Sequence, residues 1–248
     1  ALYLTACTAQ LREATFLAQS EDIEAIEQET LHIWQQKFPN KKLTEIRLEA
    51  LNFQSSERTS VSLKKESITL KGLYLDNPLS NELIFFIQGN GMKISTGGIH
   101  AIEQLAALGK DIVIFDHRGL GASNGQATIA ALESDALLEF NYIKDELNPS
   151  KIYLHGYSLG SFIATKVAEK TQIDALVLQG SATNVDDWID EITPWYTRLF
   201  LTIEIDPAFH SVDNKKTLQA KYVGPLLIIA GQNDKQAPPE LSQQLFEA

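Results

Sequence analysis

The sequence predicts an α/β fold, a mostly parallel sheet with helices on both faces, and three observations predict it. Short uninterrupted apolar runs stand at residues 83–87, 112–115, 152–154, 175–178 and 226–230, the pattern of strands buried on both faces. Helix-forming stretches at about 98–108, 128–147 and 159–170 separate them, and strands that alternate with helices build a parallel sheet covered on both sides. Ahead of these, residues 46–53, 59–63 and 68–75 alternate apolar with polar side chains, a period of two that suggests antiparallel strands. Asp76-Asn77-Pro78 turns the chain between the two regimes.

The totals agree with one ordinary globular domain. A chain of 248 residues, 44% hydrophobic and 21% charged, is long enough to bury a full core. Its net charge of -11 would repel phosphate backbones and anionic headgroups, so nucleic acid is not an expected partner. No apolar run approaches the roughly 20 residues that span a bilayer. A single cysteine, Cys7, rules out an intrachain disulfide and a cysteine-rich metal site.

Residues 1–40 read as an N-terminal helical appendage to a main domain of residues 41–248. From 11 to 38 the segment is charged and helix-forming; Phe16, Ile23, Ile26, Ile33 and Trp34 recur near helical spacing, Ser20 before Glu21 and Asp22 can start a second helix, and Pro39-Asn40 ends it. Trp34 is expected in the core, and the segment offers no chemistry of its own. Leu4-Thr5-Ala6-Cys7 resembles a bacterial lipobox, in which the cysteine is lipidated; the other reading of Cys7 is a small buried thiol in a helix. The expected location is therefore the cytoplasm or, through Cys7, a bacterial membrane as a lipoprotein, with membrane association only if Cys7 is lipidated. Because Met92 is the only methionine, the chain is expected to lack its native start.

Directly after the strand ending at His155 stands Gly156-Tyr157-Ser158-Leu159-Gly160, followed by a helix-forming stretch. In this G-x-S-x-G elbow a strand reverses into a helix within a couple of residues, which strains the serine backbone and projects its hydroxyl above the sheet. A Cβ at either glycine would collide with the neighbouring strand or helix, and Ala164 one turn on keeps that helix face small. A serine at a helix N-terminus also faces free N–H groups suited to developing negative charge.

With these residues in view, the stretch from about 59 to 246 resembles the α/β-hydrolase superfamily, in particular the branch with a His-Gly-Asn-Gly turn after its third strand. Here the turn is Gln88-Gly89-Asn90-Gly91, with Gln88 in place of the histidine. The resemblance implies Ser158 as nucleophile and an oxyanion hole made by the backbone N–H groups of Asn90 and Leu159. Asp116-His117-Arg118-Gly119-Leu120-Gly121-Ala122-Ser123 is similar to the family's Asp-x-Arg-Gly-x-Gly-x-Ser segment, where Asp116 and Arg118 are expected to satisfy each other and exposed loop amides. Gly231-Gln232-Asn233-Asp234, continuing to Pro238, resembles the acid loop and implies Asp234 as the carboxylate that orients a histidine; the plainer reading of Asp234 is a cap for the helix that follows.

In this fold the triad runs serine, acid, histidine, yet His32, His100, His117, His155 and His210 all precede Asp234. The resemblance therefore places the histidine, with a C-terminal strand and helix, beyond Ala248. It also implies a small helical cap at about 181–222, where Trp188, Trp195, Tyr196, Phe200 and Phe209 either wall an acyl site or bury the insertion against the sheet. No Walker loop, dinucleotide fingerprint or metal-spaced ligand set appears, so no cofactor and no metal are expected.

These readings converge on a serine hydrolase that cleaves a carboxylic ester or related acyl bond of a small-molecule acyl substrate through an acyl-enzyme. The alternatives are a non-catalytic hydrolase-like binding scaffold, or an acyltransferase or peptidase on the same fold.

Overall fold

The computed structural model describes residues 7–20, 22, 25–50 and 67–248. Elements follow in chain order: β1 (Cys7–Leu11), α1 (Glu13–Phe16), α2 (Gln28–Lys37), β2 (Lys42–Ala50), β3 (Ile68–Asp76), β4 (Glu82–Ile87), α3 (Ile99–Ala106) and β5 (Asp111–Phe115). Then come α4 (Ile129–Tyr142), β6 (Lys151–Tyr157), α5 (Leu159–Lys170), β7 (Ala175–Gln179), α6 (Val185–Ile192), β8 (Leu201–Ile205), α7 (Asn214–Ala220), β9 (Leu226–Ile229) and α8 (Pro239–Phe246).

Seven strands form one sheet in the order β2-β3-β5-β4-β6-β7-β9. The alternating stretches supply the antiparallel pairs β2/β3 and β3/β5, and the continuous apolar runs supply the parallel remainder. The expectation for 59–63 lies outside the described residues. Every residue of β5 is buried, as are five of the six in β4, because helices cover both faces. On one face Trp34 of α2, Phe38 just after it, and Ile99 and Ile102 of α3 pack over Leu73, Ile84 and Ile114; on the other, α4 and α5 set Leu132, Phe140, Ile163 and Val167 over Leu83, Phe85 and Leu154. At roughly 1.5–3 kcal/mol for each fully buried large apolar side chain, these layers are the main source of stability.

The structure corrects the readings of the N-terminal segment and of the cap. The N-terminal segment is not simply helical: β1 pairs in parallel with β8 in a separate two-stranded sheet, Cys7 with Leu201 through Leu11 with Ile205. Cys7 thus stands in a strand rather than a helix, and the second helix starts at Gln28, not at Ser20. The cap between β7 and β9 is accordingly mixed, with β8 between its helices. Among the described residues β9 pairs only with β7, and Leu226, Leu227 and Ile229 are between 37% and 54% exposed.

Candidate active site

The carboxyl ends of the parallel strands converge under the cap, where an α/β sheet places its ligands. Ser158 joins β6 to α5 with φ 52° and ψ -119°, one of two non-glycine residues at positive φ among the described residues. Such a conformation costs about 1–3 kcal/mol unless its surroundings impose it. Here they do. A Cβ on Gly156 would stand 2.5 Å from Ser161 Cα and 2.8 Å from Ala164 Cβ, and one on Gly160 would stand 2.6 Å from the Gln88 carbonyl oxygen. Only glycine lets β6, α5 and the end of β4 approach this closely, and the Ser158 N–H is held by the Gln179 carbonyl at 2.9 Å. The side chain is partly exposed and lines a cavity.

Leu159 opens α5, and its N–H lies in the first turn, where the helix supplies no acceptor. Facing it is the turn after β4. Gln88 is fully buried; its side-chain amide donates to Asp116 Oδ1 at 3.3 Å, and its carbonyl accepts from His117 Nε2 at 2.7 Å. Burial holds His117 below the ordinary histidine range, so it serves as a neutral donor that fixes the turn. Asp116 takes the Ile94 N–H on one oxygen and the Ala122 N–H on the other. Arg118 forms a buried two-pronged pair with Asp135 of α4, a partner the sequence did not name. Gln88 thus ties its loop to Asp116 and His117, although among the described residues its Oε1 has no partner.

Asp234 is half-buried in the loop after β9, with Oδ1 accepting the N–H groups of Gln236 at 2.8 Å and Ala237 at 2.9 Å. These bonds tie the loop down ahead of α8; they do not cap it, since the residue before the helix is Pro238 and no side chain accepts from its first turn. Oδ2 points instead to Gly180 at the end of β7, 3.7 Å from where a Cβ would sit; the Tyr157 ring borders the same point at 3.9 Å. Ser158 and Asp234 therefore flank one corner, Gln179 and Gly180. Four histidines are engaged elsewhere: His155 with Gln179 Oε1, His117 with Gln88, His210 with Asp186 and His32 with Gln36. His100 lies in α3. Among the described residues none is hydrogen-bonded to Ser158, and no group of three or more His, Cys, Asp or Glu could hold a metal ion.

The cavity above Ser158 measures about 490 Å³. Trp188 and Phe209 of the cap and Phe162 of α5 wall it, joined by Leu11 and Phe16 from the N-terminal segment. The cap aromatics divide: Trp188 and Phe209 face the cavity, whereas Trp195, Tyr196 and Phe200 are 76%, 56% and 49% exposed. The Trp188 indole N–H donates to the Gln236 carbonyl at 2.7 Å, joining the cap to the Asp234 loop. Sequence reasoning missed Leu11 and Phe16, since an isolated charged segment carries no sign of the wall it completes.

Residues 82–222 match a family model described as the alpha/beta hydrolase fold. Curated relatives include a protein named lysophosphatidylserine lipase ABHD12 in Danio rerio, 28% identical over 186 residues, and its namesake in Rattus norvegicus, 30% identical over 196 residues. The alignments cover 68% and 70% of this chain and 47% of each relative, so the chain spans about half the length of the curated relatives it matches. Among solved structures, an esterase of Pyrococcus furiosus, Pf2001, superimposes with a TM-score of 0.64 at 16% identity, over 93% of this chain and 82% of its own. Est1E of Butyrivibrio proteoclasticus, solved with ferulic acid, gives 0.58 at 22% identity, over 73% and 82%.

Proposed function

We propose that this chain, which belongs to the alpha/beta hydrolase fold family, cleaves a carboxylic ester through Ser158. The observation that carries the reading is the strained elbow: a serine at φ 52°, locked between two glycines with no room for a Cβ, opening onto an apolar cavity. In the proposed reaction Ser158 Oγ attacks the acyl carbonyl carbon and gives its proton to a base. The Asn90 and Leu159 N–H groups hold the oxygen that becomes negative. The ester C–O bond then breaks, the alcohol leaves with the base's proton, and water releases the acyl group from Ser158.

Asp234 Oδ2, left over once Oδ1 has taken two loop amides, is suited to orient that base and to stabilise its charge. Four of the chain's histidines are bonded to other partners and none is bonded to Ser158 among the described residues, so the base is assigned to a histidine that this structure does not show bonded to Ser158. The relatives named as lysophosphatidylserine lipases, together with the aromatic cavity, favour a substrate with one long acyl chain; a membrane contact would follow only from lipidation of Cys7. The rival reading is a binding scaffold on the same fold. Hydrolysis of p-nitrophenyl esters by the protein carrying its base separates the two: Ser158→Ala should lower kcat/KM by at least about 10³-fold, and retention within about tenfold would exclude Ser158 as nucleophile.

A further inference from the structure

The segment from Cys7 to Ser20 runs across the carboxyl edge of the sheet as a strap, and its attachments are specific. At one end β1 joins β8 of the cap, and the Leu11 carbonyl accepts the Asp206 N–H at 2.9 Å. At the other, the Ser20 N–H donates to the Gly119 carbonyl at 2.8 Å and Ser20 Oγ accepts the Gly121 N–H at 3.0 Å. Between them the Glu13 carboxylate accepts the N–H of Ile129 at the start of α4. The central attachment is the Asn90 carboxamide. Its Nδ2 donates to the Phe16 carbonyl at 2.7 Å and its Oδ1 accepts the Ala18 N–H at 2.7 Å, so one side chain grips the backbone on both sides of Leu17. Leu17 is buried in the core, while Phe16 lines the cavity and meets Trp188 and Phe209 edge-on, at 5.8 and 5.4 Å between ring centroids.

We propose that this strap is the wall that limits acyl-chain length, with Phe16 as the specificity-determining residue and the Asn90 side chain as the clasp that positions it. The proposal rests on the ester-cleaving reading for its choice of ligand and for the oxyanion assignment at Asn90. A primary amide offers one donor and one acceptor side by side, which suits it to the C=O and N–H groups that flank a single residue. The clasp reaches the strap from the turn whose backbone N–H is assigned to the oxyanion, so the wall is registered to the reacting carbonyl rather than merely to the cap. Ser158, Phe162, Trp188 and Phe16 line one cavity, so an apolar chain entering from Ser158 would meet the Phe16 ring held by Trp188 and Phe209. Extension beyond that point would gain no further burial.

Equilibrium binding of saturated fatty acids, hexanoate through palmitate, followed by titration calorimetry, tests this without requiring turnover. Affinity in the unmodified chain should rise by up to about fourfold per buried methylene and then level off. Phe16→Ala should move the levelling point to longer acids and Phe16→Trp to shorter ones, an opposed pair that general damage to the fold would not produce. Asn90→Ala should raise hydrogen exchange at the Ala18 amide and shift the levelling point in the Phe16→Ala direction. The same levelling point in both Phe16 variants, no fatty-acid binding by the unmodified chain, or unchanged Ala18 exchange in Asn90→Ala would each overturn the proposal. A chain that sorts fatty acids by length but cleaves no ester would keep the wall and lose the chemistry, so the two failures are distinguishable.

Discussion

Gly160→Ala places a methyl group where the backbone leaves no room, and its cost can be worked from the structure. The added carbon would stand 2.6 Å from both the Gln88 carbonyl oxygen and the Ile87 carbonyl carbon, and closer still to the Ile87 oxygen. Ordinary contact begins at 3.4 Å, so α5 and the end of β4 would have to part by roughly 0.8 Å or more in a close-packed interior. Neither neighbour is a side chain that can swing away. Overpacking of this kind costs about 3 kcal/mol or more, which for a domain of this size lowers Tm by roughly 6–12 °C. The same carbonyls open the turn that carries Asn90, so displacement should also cost about 10²–10³-fold in esterase activity if one oxyanion donor is lost. Gly97→Ala is the matched control. Its methyl would stand 3.1 Å from Met92 Cγ, the flexible part of an unbranched side chain, and its stability should stay within about 1 kcal/mol of the parent. Urea unfolding with unchanged m-values measures both. A Gly160→Ala protein within about 1 kcal/mol of the parent, or a Gly97→Ala protein equally damaged, would refute the packing argument.

Asp234→Asn retains the Oδ1 acceptor for Gln236 and Ala237, so thermal unfolding should barely move while kcat falls by about 10⁴-fold; equal losses of stability and activity would make Asp234 a loop anchor only. Asp135→Ala leaves the Arg118 guanidinium buried without the carboxylate that grips it and should cost about 3–5 kcal/mol in chemical unfolding, whereas replacing both residues with apolar ones of similar volume should cost far less. Glu139 is buried beside Asp135, and burial first, then that carboxylate, pushes its pKa well above 4.5, Arg118 opposing. The folded state therefore holds a proton that the unfolded state has released, so this group's contribution is complete below the ordinary glutamate pKa and is lost as pH rises through the raised value. Glu139→Gln should raise Tm more at pH about 8 than at pH about 5; an equal change at both would contradict the assignment.

The parts legible in the sequence were those whose determinants are local. Uninterrupted apolar runs mark β4 and β5 because both faces of those strands are covered, and the elbow is legible because its two glycines and its serine are neighbours in the chain. What could not be read depends on partners far apart. β1 and β8 are five residues each and meet across about 190 positions, so neither run alone distinguishes a strand from a helical or irregular segment. The role of the Asn90 side chain was hidden for the same reason: the turn motif points to a backbone N–H, and the carboxamide's partners at Phe16 and Ala18 lie more than 70 residues earlier. Asp135, which grips Arg118, sits in α4 amid an ordinary helical pattern, where nothing local separates a buried carboxylate from a solvated one.

The direct measurement is mass-spectrometric mapping of an alkyl fluorophosphonate on the protein carrying its base. A single adduct on the peptide containing Ser158, abolished in Ser158→Ala and slowed in Asp234→Asn, is the expected result. An unmodified Ser158 in folded, ester-cleaving protein, or an adduct formed at another residue, would contradict the assignment of this elbow as the reacting centre.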